Sequence, residues 1–263
     1  MKIQATSNDA MHLLCQLKTM LTVSVIIMLT SSCKKEAQMQ NARSTPLSDA
    51  RETANINGDV TIASAVGSGW VAYSPTKKIH LDDADGLQIF NWTSYKSVGN
   101  PICADYQYDN GTETFRIVNN QSNRSEIRLQ NEYSTGSRQF EGYVTFNAPL
   151  DDESLMQIFG STDGATQLMI RGYAADGGSI RGAGQTLATN VYGKEVHINV
   201  IHLQEDKGNR IKIYINGVKK ADIADNEAVT NYMKYGNYGT LRTGTATVKW
   251  RGVKVYRDGT APN

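Results

Sequence analysis

Three cysteines in 263 residues, a formal net charge of +1 and no convincing helical period are what this sequence has least of. The near-neutral balance removes the basic face on which most nucleic-acid binders rely, and no Lys/Arg cluster with interleaved aromatics restores it. No nucleic-acid partner is expected. Signatures of several chemistries are missing as well. There is no phosphate loop, no Gly-x-Ser-x-Gly turn and no cluster spaced to ligate a metal. A sandwich glycosidase would place its acid and nucleophile on one strand as Glu-x-Asp followed closely by Glu, and no Glu-x-Asp occurs. Asp82-Asp83-Ala84-Asp85-Gly86 opens like a calcium loop but lacks the closing glutamate, and it reads as a solvated turn. Neither a metal nor a cofactor is expected.

Long apolar stretches are absent too. The run from Met20 to Leu29 is too short to cross a bilayer. It follows Lys18 and leads into Thr30-Ser31-Ser32-Cys33, a pattern that resembles a bacterial lipoprotein signal. Residues 1–33 are then a signal ending at Cys33, whose thiol carries lipid and is the only membrane attachment expected. The implied location is an exported lipoprotein, at the outer membrane, in the periplasm or on the cell surface. Residues 34–57 are polar, without apolar period, and read as a tether. With Cys15 in the removed segment and Cys33 lipidated, only Cys103 remains for the folded part, so no disulfide can form within it. About two hundred residues can bury roughly 70% of their unfolded surface, and that core must hold the domain unaided. Cys103 is expected inside it.

What the sequence has in quantity is short β-prone runs separated by turn residues, with 23 glycines falling mostly between them. Strands are expected near Val60–Ala65, Trp70–Ala72, Leu87–Trp92, Thr114–Val118, Arg124–Gln130, Gln139–Phe146, Leu155–Phe159, Gln167–Arg171, Val196–Leu203, Arg210–Ile215, Asn231–Thr240 and Thr247–Tyr256. Asn216-Gly217 supplies the positive-φ pair of a tight hairpin after Ile211, Ile213 and Ile215. The fold class is all-β: one concanavalin-like β-sandwich or jelly roll over residues 58–260, with one sheet curved into a concave binding surface. A monomer is expected.

Three of these runs carry polar residues in a pattern that a plain outer strand does not require. Arg124, Glu126, Arg128 and Gln130 share one face of their strand, and Ser125, Ile127 and Leu129 share the other. Arginine presents a planar fork of donors that fits a carboxylate, so two arginines flanking a glutamate suit either an acidic ligand or a solvated face with Glu126 bridging them. Gln157 shares a largely apolar face with Leu155 and Phe159 and needs a partner. Tyr232, Lys234, Gly236 and Tyr238 align on a third strand, with the glycine expected to make space between the long side chains.

Together, Arg124-Ser-Glu126-Ile-Arg128, Gln157-Ile-Phe159 and Tyr232-x-Lys234-x-Gly236-x-Tyr238 resemble, in order and approximate separation, the three motifs of the alginate lyases of polysaccharide lyase family seven. In that family they read Arg-Ser/Thr-Glu-Leu/Val-Arg, Gln-Ile/Val-His and Tyr-Phe-Lys-Ala-Gly-x-Tyr-x-Gln. The resemblance implies a jelly-roll lyase whose concave sheet binds an anionic uronate polymer. Arg124 and Gln157 would neutralise the C6 carboxylate and Tyr238 would act as acid; Arg128, Lys234, Tyr232, Phe159 and Glu126 would line the substrate, Glu126 by holding the arginines. Phe159 stands where the family has histidine, and Tyr235 and Thr240 replace its alanine and final glutamine. None of His80, His197 and His202 falls in a motif that gives it that task, and all three read as structural. With the histidine missing, a lone tyrosine can serve both proton transfers only where H5 and O4 leave from the same side of the ring, which points to mannuronate-type alginate or glucuronan. The alternative is a non-catalytic carbohydrate-binding module for acidic polysaccharide.

Overall fold

Alternation is strongest where each strand has one face sealed. In the computed structural model Ser125, Ile127 and Leu129 are fully buried while Arg124 and Arg128 stay partly exposed, and Ile211, Ile213 and Ile215 point inward past Lys212. The structure describes residues 65–118, 120–160, 166–204, 208–239 and 244–263. The signal at 1–33 with Cys33, the tether at 34–57, nearly all of the strand expected at Val60–Ala65, and Thr240 lie outside them.

The described residues form β1 (Val71–Tyr73), β2 (Thr76–Asp83), β3 (Gly86–Asn91), β4 (Tyr95–Val98), β5 (Ala104–Asp109), β6 (Thr112–Ile117), β7 (Arg124–Gln130), β8 (Gly136–Phe146) and β9 (Glu153–Gly160). After these come β10 (Thr166–Tyr173), β11 (Ser179–Gly182), β12 (Gln185–Thr189), β13 (Val196–Gln204), β14 (Arg210–Ile215), β15 (Val218–Ala224), β16 (Asn231–Gly239) and β17 (Ala246–Arg257). Among them the only helical element is the 3-10 turn Ala175–Gly177. One antiparallel sheet runs β15-β14-β13-β8-β17-β6-β5-β4, with β1 also paired to β17; the other runs β12-β11-β10-β9-β16-β7-β2-β3. This is the expected two-sheet sandwich. The Asn216-Gly217 turn joins β14 to β15 with φ of 50° and 77°, values that suit the twist of a two-residue hairpin.

The sheets meet through aromatic rings. Tyr235 from β16 packs edge-on to Phe115 at 5.6 Å and to Trp250 at 5.9 Å, and Phe140 lies 5.3 Å from Trp250. Each such pair adds roughly 0.5–1.5 kcal/mol beyond the area it buries. Beneath these rings sits a buried carboxylate, Glu113, which accepts from Tyr106 Oη at 2.7 Å, Tyr235 Oη at 2.8 Å and Lys77 Nζ at 3.0 Å. Burial and the adjoining carboxylate push both phenols upward, so they remain protonated donors. Cys103 is buried, as expected.

Six strands, β2, β4, β5, β11, β12 and β15, match none of the expected runs. The sequence of β2, Thr76-Lys-Lys-Ile-His-Leu-Asp-Asp83, offers only Ile79 and Leu81 as an apolar face, between charged pairs. Its pairing with β7 on one side and β3 on the other makes it a central strand of the cleft sheet nonetheless. β15 is mostly exposed and pairs only at the sheet edge.

Candidate functional site

Register assembles the site from four neighbouring strands. Across β9, β16, β7 and β2, Gln157 stands opposite Lys234, Lys234 opposite Arg128, and Arg128 opposite Lys78. In the next row Gly236, Glu126 and His80 stand in line, and beyond them Tyr238 is opposite Arg124. Neighbouring strands lie about 4.8 Å apart, so side chains of one row reach one another. Together these rows floor a cavity of about 540 Å³ lined by Lys78, His80, Arg124, Arg128, Gln157, Phe159, Tyr232, Lys234 and Tyr238, with Leu87 and Ile89 of β3 as an apolar wall.

Glu126 organises the floor. It is 1% exposed, and its Oε1 accepts from Lys234 Nζ at 2.9 Å while its Oε2 accepts from Gln157 Nε2 at 3.1 Å. Arg124 Nε lies 3.4 Å from the same Oε1 and 3.7 Å from Asp82 Oδ2. The expectation that Glu126 would bridge both arginines is corrected by this geometry. Arg128 pairs instead with Glu132, four residues on, because its side chain leans towards the strand end. Glu126 therefore holds Arg124, Lys234 and Gln157.

The arginines are also held by rings. The Arg124 guanidinium sits 4.6 Å from the centre of the Tyr238 ring and that of Arg128 sits 4.2 Å from Tyr232. Phe159 and Tyr232 lie 5.6 Å apart at 44°, with Lys234 Nζ 5.7 Å above Phe159. All eight side chains that the three motifs singled out thus converge on one sheet face. Gly236 plays a different part from the one expected. Its φ is +142°, and a Cβ there would lie 2.6 Å from the Glu126 Cα and 2.9 Å from the Phe115 ring. The glycine lets β16 close against β7 and the core rather than opening space in the cleft. A register shift between Tyr235 and Tyr238 marks the same place on the β9 side.

His80 corrects another expectation. It lines the cleft, opposite Glu126, where a structural role alone had been read for it. Burial lowers its pKa first, and Lys234, Arg124 and Arg128 lower it further, to about 3, so the ring is neutral. His197 and His202 belong to β13 in the opposite sheet. The first stacks on Tyr143 at 4.5 Å and the second is bonded on both ring nitrogens, to Tyr133 and Asp225. Lys78 and Asp82 were missed with His80, since all three depend on recognising β2. Alternation of Lys78, His80 and Asp82 against Ile79 and Leu81 was the signal available. Asp83 accepts from the Asp85 amide and Gln88, which makes the suspected calcium loop a turn between β2 and β3. Burial pushes the Asp82 carboxyl up, against the opposing pull of Arg124.

The two-sheet jelly roll that carries this cationic, ring-lined groove is also found in known proteins. The alginate lyase of Corynebacterium sp. superposes with a TM-score of 0.52 over 70% of this chain and 94% of its own at 16% identity. An alginate lyase from polysaccharide lyase family 7 gives 0.50 over 70% and 94%, also at 16% identity. The chain shares the fold of these alginate lyases. In sequence, the citrate-binding protein of Hevea brasiliensis is 30% identical over 179 residues, 64% of this chain and 74% of the relative. The chain belongs to the family of that citrate-binding protein. No family model matches it.

Proposed function

We propose that this protein is a polysaccharide lyase that cleaves a 1,4-linked uronate polymer by β-elimination. The observation that carries the reading is the packing of Arg124 on the Tyr238 ring in a cleft where Glu126 fixes both Lys234 and Gln157. Elimination requires the C6 carboxylate to be neutralised so that H5 becomes acidic, and a proton must reach the departing O4. Arg124 and the second amide hydrogen of Gln157 serve the carboxylate, and Tyr238 serves O4. Arg128, Lys234, Tyr232 and Phe159 bind the neighbouring sugars. Polymers whose H5 and O4 leave from the same side, mannuronate-type alginate and glucuronan, need no further group. Attachment through a lipidated Cys33, followed by the tether, would present the groove to such polymers outside the cytoplasm.

The test is incubation of the domain with polymannuronate, polyguluronate and glucuronan while following ultraviolet absorbance of the new C4=C5 bond. Cleavage of at least one polymer is expected. Tyr238→Phe should remove turnover and leave binding largely intact, whereas Arg124→Ala should weaken both. Binding of the polymers without any absorbance change would replace this reading with its alternative, a non-catalytic module for acidic polysaccharide. Phe159 in the family's histidine position favours that alternative, and a relative named for binding a tricarboxylate is consistent with it. Loss of membrane attachment in Cys33→Ser would support the lipid anchor; unchanged attachment would refute it.

A further inference from the structure

The lyase reading leaves a neutral imidazole in the cleft without a task. His80 stands on β2 in the row of Glu126 and Gly236, and its Nδ1 is buried with no hydrogen-bond partner among the described residues. Glu126, directly opposite, has its two oxygens engaged by Lys234, Arg124 and Gln157. On its own strand His80 is flanked by Lys78, which donates to Asn91, and Asp82, which faces Arg124. From β7 it meets the positive charge of Arg124 and Arg128, and from β16 that of Lys234. From β3 its paired neighbour is Ile89, with Leu87 further along the same wall. A buried ring with a free nitrogen is costly unless something uses it.

We propose that His80 is the proton acceptor for H5, supplied from β2 in place of the histidine that the β9 motif lacks, and that it acts across the sugar from Tyr238. This rests on the lyase reading. His80 and Tyr238 belong to β2 and β16, with β7 between them and one row of stagger, so their backbones are about 12 Å apart and a pyranose ring fits above β7. His80 takes H5 at Nε2, its sealed Nδ1 keeping the hydrogen of the neutral ring, and the C5–H electron pair becomes the π bond of C4=C5. The C4–O4 bond breaks with its pair going to O4, which takes the Tyr238 phenolic proton. The imidazolium then passes its proton to solvent and the phenolate regains one. A bound C6 carboxylate cancels the positive charge that Arg124, Arg128 and Lys234 direct at His80, so substrate raises the basicity of its own base. With one group on each side of the ring, opposite-side departure becomes available and polyguluronate enters the substrate range.

The experiment compares wild type, His80→Gln and His80→Asn on polymannuronate, polyguluronate and glucuronan. Wild type is expected to cut polyguluronate, and either variant is expected to lose about 100-fold or more in kcat on it, the usual share of a general base, with KM within about threefold. The loss on polyguluronate should exceed the loss on polymannuronate or glucuronan by at least about tenfold. Added imidazole should restore part of the rate in His80→Ala. Wild type that cuts the same-side polymers but not polyguluronate would overturn the proposal, as would variants that keep the wild-type ratio of rates. Wild type that cuts none of the three would remove the lyase reading and this inference with it.

Discussion

His80 and His202 both sit on central strands and both are nearly sealed from solvent, at 5% and 0% exposure. Their surroundings are opposite. His202 Nδ1 lies 2.9 Å from the Tyr133 hydroxyl and its Nε2 lies 2.8 Å from Asp225 Oδ2. Burial holds this ring below its usual range despite Asp225, so the neutral form donates from Nε2 and accepts at Nδ1. Every polar atom of His202 is spent on the fold. His80 has an unspent nitrogen and looks onto cations, which is an arrangement that stabilises nothing in the free protein. A histidine that a fold needs is satisfied by the fold, and one that is left unsatisfied in a cleft is available to a ligand.

Three measurements test that contrast, beginning with the largest effect. Glu126→Ala leaves Lys234 buried without its carboxylate and should cost about 3–5 kcal/mol in chemical denaturation, while the His202 ring keeps its titration unchanged. A cost near zero would mean that the floor of the cleft is not organised by Glu126. His202→Leu strands the Asp225 carboxylate and the Tyr133 hydroxyl and should cost about 3 kcal/mol, whereas His80→Leu should change stability by less than about 1 kcal/mol. Equal costs would erase the distinction between the two rings. The smallest effect is on pH dependence. The folded protein binds a proton at His80 only near pH 3, the unfolded chain near the usual 6.5 of histidine, so between these the unfolded state holds more protons and stability falls as pH drops. His80→Gln should flatten the loss of stability between about pH 6 and 4, leaving the similar contributions of His197 and His202, which burial also lowers. An unchanged slope would show that the cleft does not depress His80.

Much of this was legible in the residues. The alternation of Arg124–Gln130 and the isoleucines of Arg210–Ile215 set two strands to the residue, because a sealed apolar face repeats with period two. The three polar runs pointed to the groove through their joint resemblance to the lyase motifs; by pattern alone the Arg124 strand read equally as a solvated face. The fourth did not announce itself. In β2 two apolar residues sit among lysines and aspartates, and what makes it central is hydrogen bonding to β3 and β7, both legible as strands themselves, whose pairing with β2 its own pattern does not disclose. The role of Gly236 was hidden for the same reason, since the contact it permits is with Glu126 and Phe115, more than a hundred residues earlier.

Glu113 lies under the other face of the sheet, yet it bears on the cleft. Successive residues of β16 reach carboxylates on opposite sides, Lys234 to Glu126 above and Tyr235 to Glu113 below. A strand pinned from both faces cannot roll about its own axis, and Tyr238 is only three residues further on. The phenol is thus aimed before any sugar arrives, with no lid or closure required, and the orientation costs nothing at the moment of binding. Steering the site would then fall to the core: shortening Glu113 to aspartate would turn Tyr238 without touching a residue that a substrate meets.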